Sequence, residues 1–284
     1  MGKYDRILLL GSGKLLLDCM AYVDKSEYCY MGYDVSEKPQ KMTAVRAEKL
    51  GLHYAYRDYK ELFEELKKEE AEILLFSVIN PWILPKEILE KENITCINCH
   101  QALLPAHKGR NAEAWAIFEG DQKTGITWHR MTERVDEGEI LCQKEILITE
   151  EMTSLQLFRQ QMNAAYEAFT EVLPELLKGR VKWRTQELQT DSLRLSWEIP
   201  ADGKVDLDWS AEKLGRFLRA MDYGGMEVFK KPTLLWEKEE YVCKKYKIKK
   251  QETAFKKDDI YMQDEILFFK KQNYEIELYL SKKE

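Results

Sequence analysis

Along the first half of the chain, short apolar blocks alternate with amphipathic stretches, and the two spacings predict strands and helices in turn. Arg6 to Leu10 is a compact apolar run that predicts a strand, and Gly11-Ser12-Gly13 leads from it into a helix-like apolar stretch through Val23. Tyr28 to Asp34 predicts a second strand, Lys41 to Leu50 a helix, Tyr59 to Lys68 an amphipathic helix, and Glu72 to Ile79 a third strand. Strands and helices alternating in this way predict a parallel, doubly wound sheet. Ile79 to Pro85 leaves the third strand as a loop and enters a helix through Leu89. Thr95 to His100, stopped by Leu103, Leu104 and Pro105, predicts a buried parallel strand. Lys108 to Asn111 reads as a turn and Ala112 to Phe118 as a short helix. Thr124 to Met131 and Glu139 to Ile148 read as strands on either side of a loop that holds Asp136. Ser154 to Leu177 predicts a long helix closed by Gly179.

From about Val181 the pattern changes. Ile199 to Trp209 is turn-rich, and Ala211 to Met221 predicts a helix carrying Arg216 and Arg219. Val228 to Leu280 then supplies short β-rich runs, among them Ile260 to Met262, Ile266 to Phe269 and Tyr274 to Tyr279. The expected fold is α/β. A doubly wound, mostly parallel sheet occupies residues 1-180, and a linker helix with a small β-rich, open-barrel-like domain occupies 181-284.

Composition narrows the function without changing the fold. A formal net charge of -6 over 284 residues argues against tight non-specific nucleic-acid binding. No apolar run reaches the length of a membrane span and Met1 to Arg6 is polar, so a cytoplasmic chain without a membrane partner is expected. Cys19, Cys29, Cys96, Cys99, Cys142 and Cys243 sit mostly in apolar segments and read as reduced core residues. Cys96 and Cys99 form a Cys-x-x-Cys, but on a strand they face opposite sides, so no metal is expected there. Gly11-Ser12-Gly13 lacks the third glycine of a dinucleotide fingerprint, since Leu16 stands in its place, and Lys14 is not followed by Ser or Thr as in a P-loop. What remains is a tight turn whose helix N-terminus suits an anionic group of a substrate, at Gly11, Ser12 and Gly13. Lys245, Lys247 and Lys249 would share one strand face, which is expected to be a solvated sheet edge rather than a phosphate-contacting stripe.

Candidate chemistry concentrates between Thr95 and Ile140. Asn98 and His100 are two residues apart, so on a strand an amide and an imidazole project from one face near its carboxyl end, where open α/β sheets bind ligands. Such donors suit an oxyanion formed when an amine attacks an acyl carbon, and one well-placed donor lowers such a barrier by about 3 to 4 kcal/mol. With Asp136 nearby, opposite charge would favour the imidazolium of His100, and the carboxylate could take the proton the amine loses. No covalent enzyme intermediate is needed. Gly138 permits a tight loop beside Asp136, and His129 reads as structural support near the site.

The run from Ile97 to Ile140 resembles the core signature of the 10-formyltetrahydrofolate-dependent formyltransferases. The shared features are Asn98-x-His100, Leu103-Leu104-Pro105, Gly109-Arg110, a helix, Gly125-x-Thr127-x-His129 and Asp136-x-Gly138-x-Ile140. The resemblance implies a formyltransferase-like variant of the Rossmann sheet and a catalytic trio of Asn98, His100 and Asp136. It implies 10-formyltetrahydrofolate as cosubstrate, without a metal, contacted by Ile79, Asn80, Trp82, Ile83, Leu84, Pro85, Val135, Glu137 and Gly138. Asn80-Pro81-Trp82 departs from the family's usual Tyr-Gly, and Trp82 would stack on a flat ring or lie in the core. Arg110 and Asn111 are expected to contact the acceptor. Arg-Asn-Ala-Glu-Ala-Trp at 110–115 resembles members that act on small molecules more than the Arg-Gly-Ala-Ala-Pro of those that act on methionyl-tRNA. The expected reaction is formyl transfer to an amine on a small metabolite, amino sugar or carrier-held amino acid. Methionyl-tRNA formylation, hydrolysis of the formyl folate and a non-catalytic binding module are the alternatives.

Overall fold

The computed structural model describes residues 3–187 and 193–283. By mutual contact the chain groups into two compact units, Met1–Gly109 with Gly125–Ile146 and Gln160–Leu193, and Arg110–Thr124 with Leu147–Arg159 and Arg194–Glu284. The sequence reading divides the chain once, at about residue 180. The second unit instead also takes in two earlier segments, because their packing partners lie late in the chain.

The first unit is built on a seven-stranded sheet of order β3-β2-β1-β4-β5-β6-β7. Its strands are β1 (Arg6–Gly11), β2 (Cys29–Asp34), β3 (Tyr54–Tyr56), β4 (Ile73–Val78), β5 (Ile94–His100), β6 (Lys123–Arg130) and β7 (Ile140–Leu147). β1 through β5 pair in parallel, and β5 pairs antiparallel with β6. β1 and β4 are central and nearly all buried, which is why both read as unbroken apolar runs. Helices α1 (Gly13–Val23), α2 (Lys41–Lys49), α3 (Tyr59–Lys67) and α4 (Lys86–Leu89) connect the parallel strands. The sequence reading missed β3, three residues too short to show a period.

Residue parity on β5 and β6 assigns the two faces of the sheet. Ile97, Cys99, Ile126 and Trp128 join the larger core cluster with α1 and with Phe169 and Leu173 of α6 (Ser154–Leu177). Ile94 and Cys96 join the cluster on the other face, with Leu62, Phe63 and Leu66 of α3 and Ile88 of α4. Cys96 and Cys99 therefore do face opposite sides. Gly11 closes β1 where the chain comes so near β4 that an added Cβ would stand 1.7 Å from the Val78 carbonyl oxygen.

The second unit holds a five-stranded antiparallel sheet of order β10-β11-β12-β9-β8. Its strands are β8 (Thr233–Trp236), β9 (Glu239–Lys250), β10 (Asp259–Gln263), β11 (Ile266–Lys271) and β12 (Tyr274–Lys282). α7 (Ala211–Ala220) lays Leu214, Phe217 and Leu218 against Leu267, Phe269, Ile276 and Leu278 of this sheet. α5 (Ala112–Glu119) belongs with α7, and the Tyr223 hydroxyl donates to the buried Glu113 carboxylate at 2.6 Å. Arg219 is occupied within the unit, donating to the Met152 carbonyl at 3.0 Å. β9 is an inner strand by order, yet beyond Cys243 its paired neighbour is β12 alone, so the lysines do lie along a locally open flank. Lys247 and Lys249 converge on Glu277 at 3.2 and 2.7 Å, one carboxylate between two ammonium groups.

Candidate active site

Asn98 lies in one row with two polar neighbours. Its register partners are Ser77 on β4 and His129 on β6. The Ser77 hydroxyl donates to Asn98 Oδ1 at 2.7 Å, while Asn98 Nδ2 lies 3.2 Å from His129 Nε2. The Nδ1 of His129 donates to the Arg130 carbonyl at 2.9 Å, which turns Nε2 toward the Asn98 amide. Both ends of the amide are thereby fixed, and one of its two N–H groups remains for a ligand.

His100 closes β5 and is 4% exposed. Its Nε2 donates to the His107 carbonyl at 2.8 Å, and its Nδ1 stands 3.4 Å from Asp136 Oδ2. The turn that carries His107 is tied down by Thr127, whose hydroxyl donates to Ala102 O at 2.6 Å and accepts from Leu104 N at 3.1 Å. Gln161 adds a bond to Gln101 O at 2.6 Å. Asp136 enters from the β6–β7 loop in the left-handed region, at φ 59°. One carboxylate oxygen accepts from Gly109 N at 2.8 Å, and the other lies 3.4 Å from His129 Nε2. The trio expected from the sequence is thus brought together, and His129, read as support, is in contact with two of its members.

Electrostatics alter one expectation. Burial pushes the His100 imidazole below its ordinary range and outweighs the opposing pull of Asp136 and the His107 carbonyl. Asp136 does favour the imidazolium, as the sequence reading expects, but desolvation at this depth pulls the other way and exceeds the attraction across 3.4 Å. For Asp136 burial works upward, but His100, His129 and the Gly109 N–H together hold the carboxyl well below the usual carboxylate range. The pair thus sets a carboxylate 3.4 Å from a ring nitrogen placed to take up a proton. If His100 accepts that proton, the acidic limb of kcat/KM will fall below pH 6.5, and the profile will stay flat from there up through neutrality. A rate that instead declines on raising the pH from 6 to 8 would mean that the imidazolium is the working form.

The residues expected to contact folate lie in two loops. Ile79 has φ 56°, and Asn80 closes a turn by accepting from Trp82 N and donating to Trp82 O, each at 3.0 Å. Ile83 is 71% exposed, whereas the Leu84 side chain is buried in the core and Pro85 caps α4. Trp82 stacks on Tyr59 with centroids 3.8 Å apart, and its indole N–H donates to Val35 O. One face of that ring is therefore already used. Val135 is half-buried, Glu137 is held by Lys108 at 2.9 Å, and Gly138 runs so close to β6 that a Cβ would stand 1.9 Å from Arg130 O.

Among the expected acceptor residues, Gly11 ends β1 and Ser12 and Gly13 open α1, where Ser12 makes no side-chain cap and Gly13 has φ 73°. Arg110 and Asn111 fall in the second unit; Arg110 N donates to Arg194 O at 2.9 Å, and Asn111 precedes α5 at φ 56°. Sequence reasoning missed Ser77 and Gln186. Ser77 was detectable as the lone hydroxyl in the apolar run of β4, while Gln186 carries no local signal. Among the described residues no group of three or more His, Cys, Asp or Glu could hold a metal ion, and no helix is long and apolar enough to cross a membrane.

The amide, two imidazoles and a carboxylate gather near the carboxyl end of β5, where open α/β sheets bind ligands. A family model described as formyl transferase matches residues 23–173, over half of the chain and all of these side chains, and the chain belongs to that family. It is 34% identical over 139 residues to a GDP-perosamine N-formyltransferase of Brucella melitensis, covering 49% of this chain and 52% of that protein. The chain thus matches about half the length of that curated relative. A methionyl-tRNA formyltransferase of Clostridioides difficile is 26% identical, with 76% of this chain and 74% of that protein covered. Among solved structures, an N-formyltransferase from Helicobacter canadensis, complexed with folinic acid and dTDP-3-aminofucose, superposes at a TM-score of 0.75. The identity is 15%, with 97% of this chain and 99% of that one covered, a likeness of fold.

Proposed function

We propose that this protein transfers the formyl group of 10-formyltetrahydrofolate to the primary amine of a nucleotide-linked amino sugar. The observation that carries the reading is the cluster of half-buried Asn98 with buried His100, His129 and Asp136. The perosamine N-formyltransferase relative supports a sugar amine as acceptor. Ile83, exposed beside the end of β4, and the fixed turn at Asn80 suit a flat apolar ring, which fits a folate. When bound, the formyl folate supplies an electrophilic carbon and an amine leaving group.

The chain's residues divide the remaining work. The free N–H of Asn98 meets the oxygen on which charge develops, an effect of about 3 to 4 kcal/mol for such a donor. His100 and Asp136 together hold the proton that leaves the attacking amine: Nδ1 takes it, and the carboxylate stabilises the resulting imidazolium. Returning that proton to the departing folate nitrogen restores the neutral ring, so no group on the enzyme is consumed.

The test is a transfer assay with 10-formyltetrahydrofolate and a panel of GDP- and dTDP-linked amino sugars, methionyl-tRNA and carrier-bound amino acids. One formylated sugar nucleotide, with tetrahydrofolate released in equal amount, is the expected result. Formylation of methionyl-tRNA alone would replace the sugar reading. Tetrahydrofolate release without a formylated acceptor would indicate hydrolysis, and no folate binding at all would indicate a module without chemistry. The tRNA reading draws on the Clostridioides difficile relative; on the lysine flank of β9 Glu277 offsets one charge of the pair Lys247 and Lys249, so a salt-dependent tRNA affinity would support that reading.

A further inference from the structure

We propose that Gln186 is a positioning residue for Asp136, acting as a clamp that joins the chain after α6 to the catalytic loop. This deepens the formyl-transfer reading and rests on it. Gln186 lies fifty residues beyond Asp136 in sequence, yet its amide nitrogen donates to Asp136 O at 2.9 Å and to Gly138 O at 2.6 Å. The side chain is 7% exposed, so water cannot readily substitute for it. Two carbonyl acceptors fix the orientation of the amide, since a flipped oxygen would face both of them. The strand-like stretch before it is held as well. Arg184 N donates to Ile140 O at 2.9 Å, and Ile140 N donates to Arg184 O at 2.8 Å. The clamp thus grips the loop on both sides of Glu137 and at the start of β7.

The loop needs such a grip. Asp136 is held in the left-handed region at φ 59°, a conformation that a non-glycine residue keeps only when its surroundings enforce it. Relaxation toward extended backbone would swing the carboxylate away from His100, His129 and Gly109 N, the three groups that define its place. The hydrogen bonds of Gln186 go to the backbone of the loop, and its effect passes through that backbone.

The experiment compares the full-length protein with Gln186→Met, which keeps length without donors, and Gln186→Glu, which keeps shape and polarity but loses the N–H groups. Turnover with 10-formyltetrahydrofolate is measured beside the titration of the His100 imidazole by NMR. Both variants are expected to lose about 10- to 100-fold in kcat with KM for the folate little changed, as a small misplacement of a reacting group does. The His100 resonance should titrate at lower pH as the carboxylate withdraws. Full kcat and an unmoved titration in either folded variant would overturn the proposal, as would a fall in thermal stability with kcat retained. Should the wild-type protein formylate nothing while the titration still moves in the variants, the formyl-transfer reading fails and the clamp stands.

Discussion

Replacing Asp136 with asparagine is expected to lower kcat by about 10²- to 10⁴-fold, the range over which a positioned proton acceptor contributes. The fold should survive the change. The asparagine oxygen can still accept from Gly109 N, now 2.8 Å from the carboxylate, while its amide, in the place of Oδ1, faces His129 Nε2 3.4 Å away. Binding of a folate analogue should also persist, because the change removes charge from the cluster rather than surface from the loops at Ile79 to Pro85. Rapid-quench turnover of the variant, alongside analogue titration, separates these effects. Near-normal turnover would show that the carboxylate takes no part in moving the proton.

Gly138→Ala is expected to act on both stability and rate. The new methyl would stand 1.9 Å from Arg130 O, a contact that forces the β6 end or the loop to move. Overpacking of this kind costs about 1 to 3 kcal/mol. The same carbonyl accepts from His129 Nδ1 at 2.9 Å, so displacing the Arg130 peptide turns the imidazole that holds Asn98. Urea unfolding should therefore show a lower midpoint, and kcat should fall in the fraction that remains folded. A midpoint and kcat both equal to wild type would mean that the loop has room the structure does not show.

How far the site was legible in sequence depends on how each residue is held. Asn98 and His100 lie on one strand, so their common face follows from the period of two, and Asp136 lies in the hairpin that pairs back on that strand. The resemblance to formyltransferases then fixed which polar residues to join. Gln186 could not be found this way, since no period links the chain after α6 to a loop fifty residues earlier. The pull of Asp136 on His100 was legible, but the larger opposing effect of burial was not, because a sequence shows the neighbouring charge and not the depth. Trp82 shows the same limit: its stacking on Tyr59 is a tertiary contact between a loop and α3. The division into units was blurred for a related reason, since α5 reads locally as part of the catalytic chain but packs on α7.

The row Ser77, Asn98, His129 runs straight across three strands, parallel on one side of β5 and antiparallel on the other. Pairing register here is therefore chemistry as well as packing. Deleting one residue of β5 ahead of Asn98 would set Cys99 opposite Ser77 and His129 and turn the amide toward the core, silencing the enzyme while every side chain of the trio stayed in the chain. Length changes can accumulate in the connections between α1 and β4 without touching this row, but β5 itself tolerates none. In an alignment of working relatives, gaps should be found on either side of this strand and never inside it.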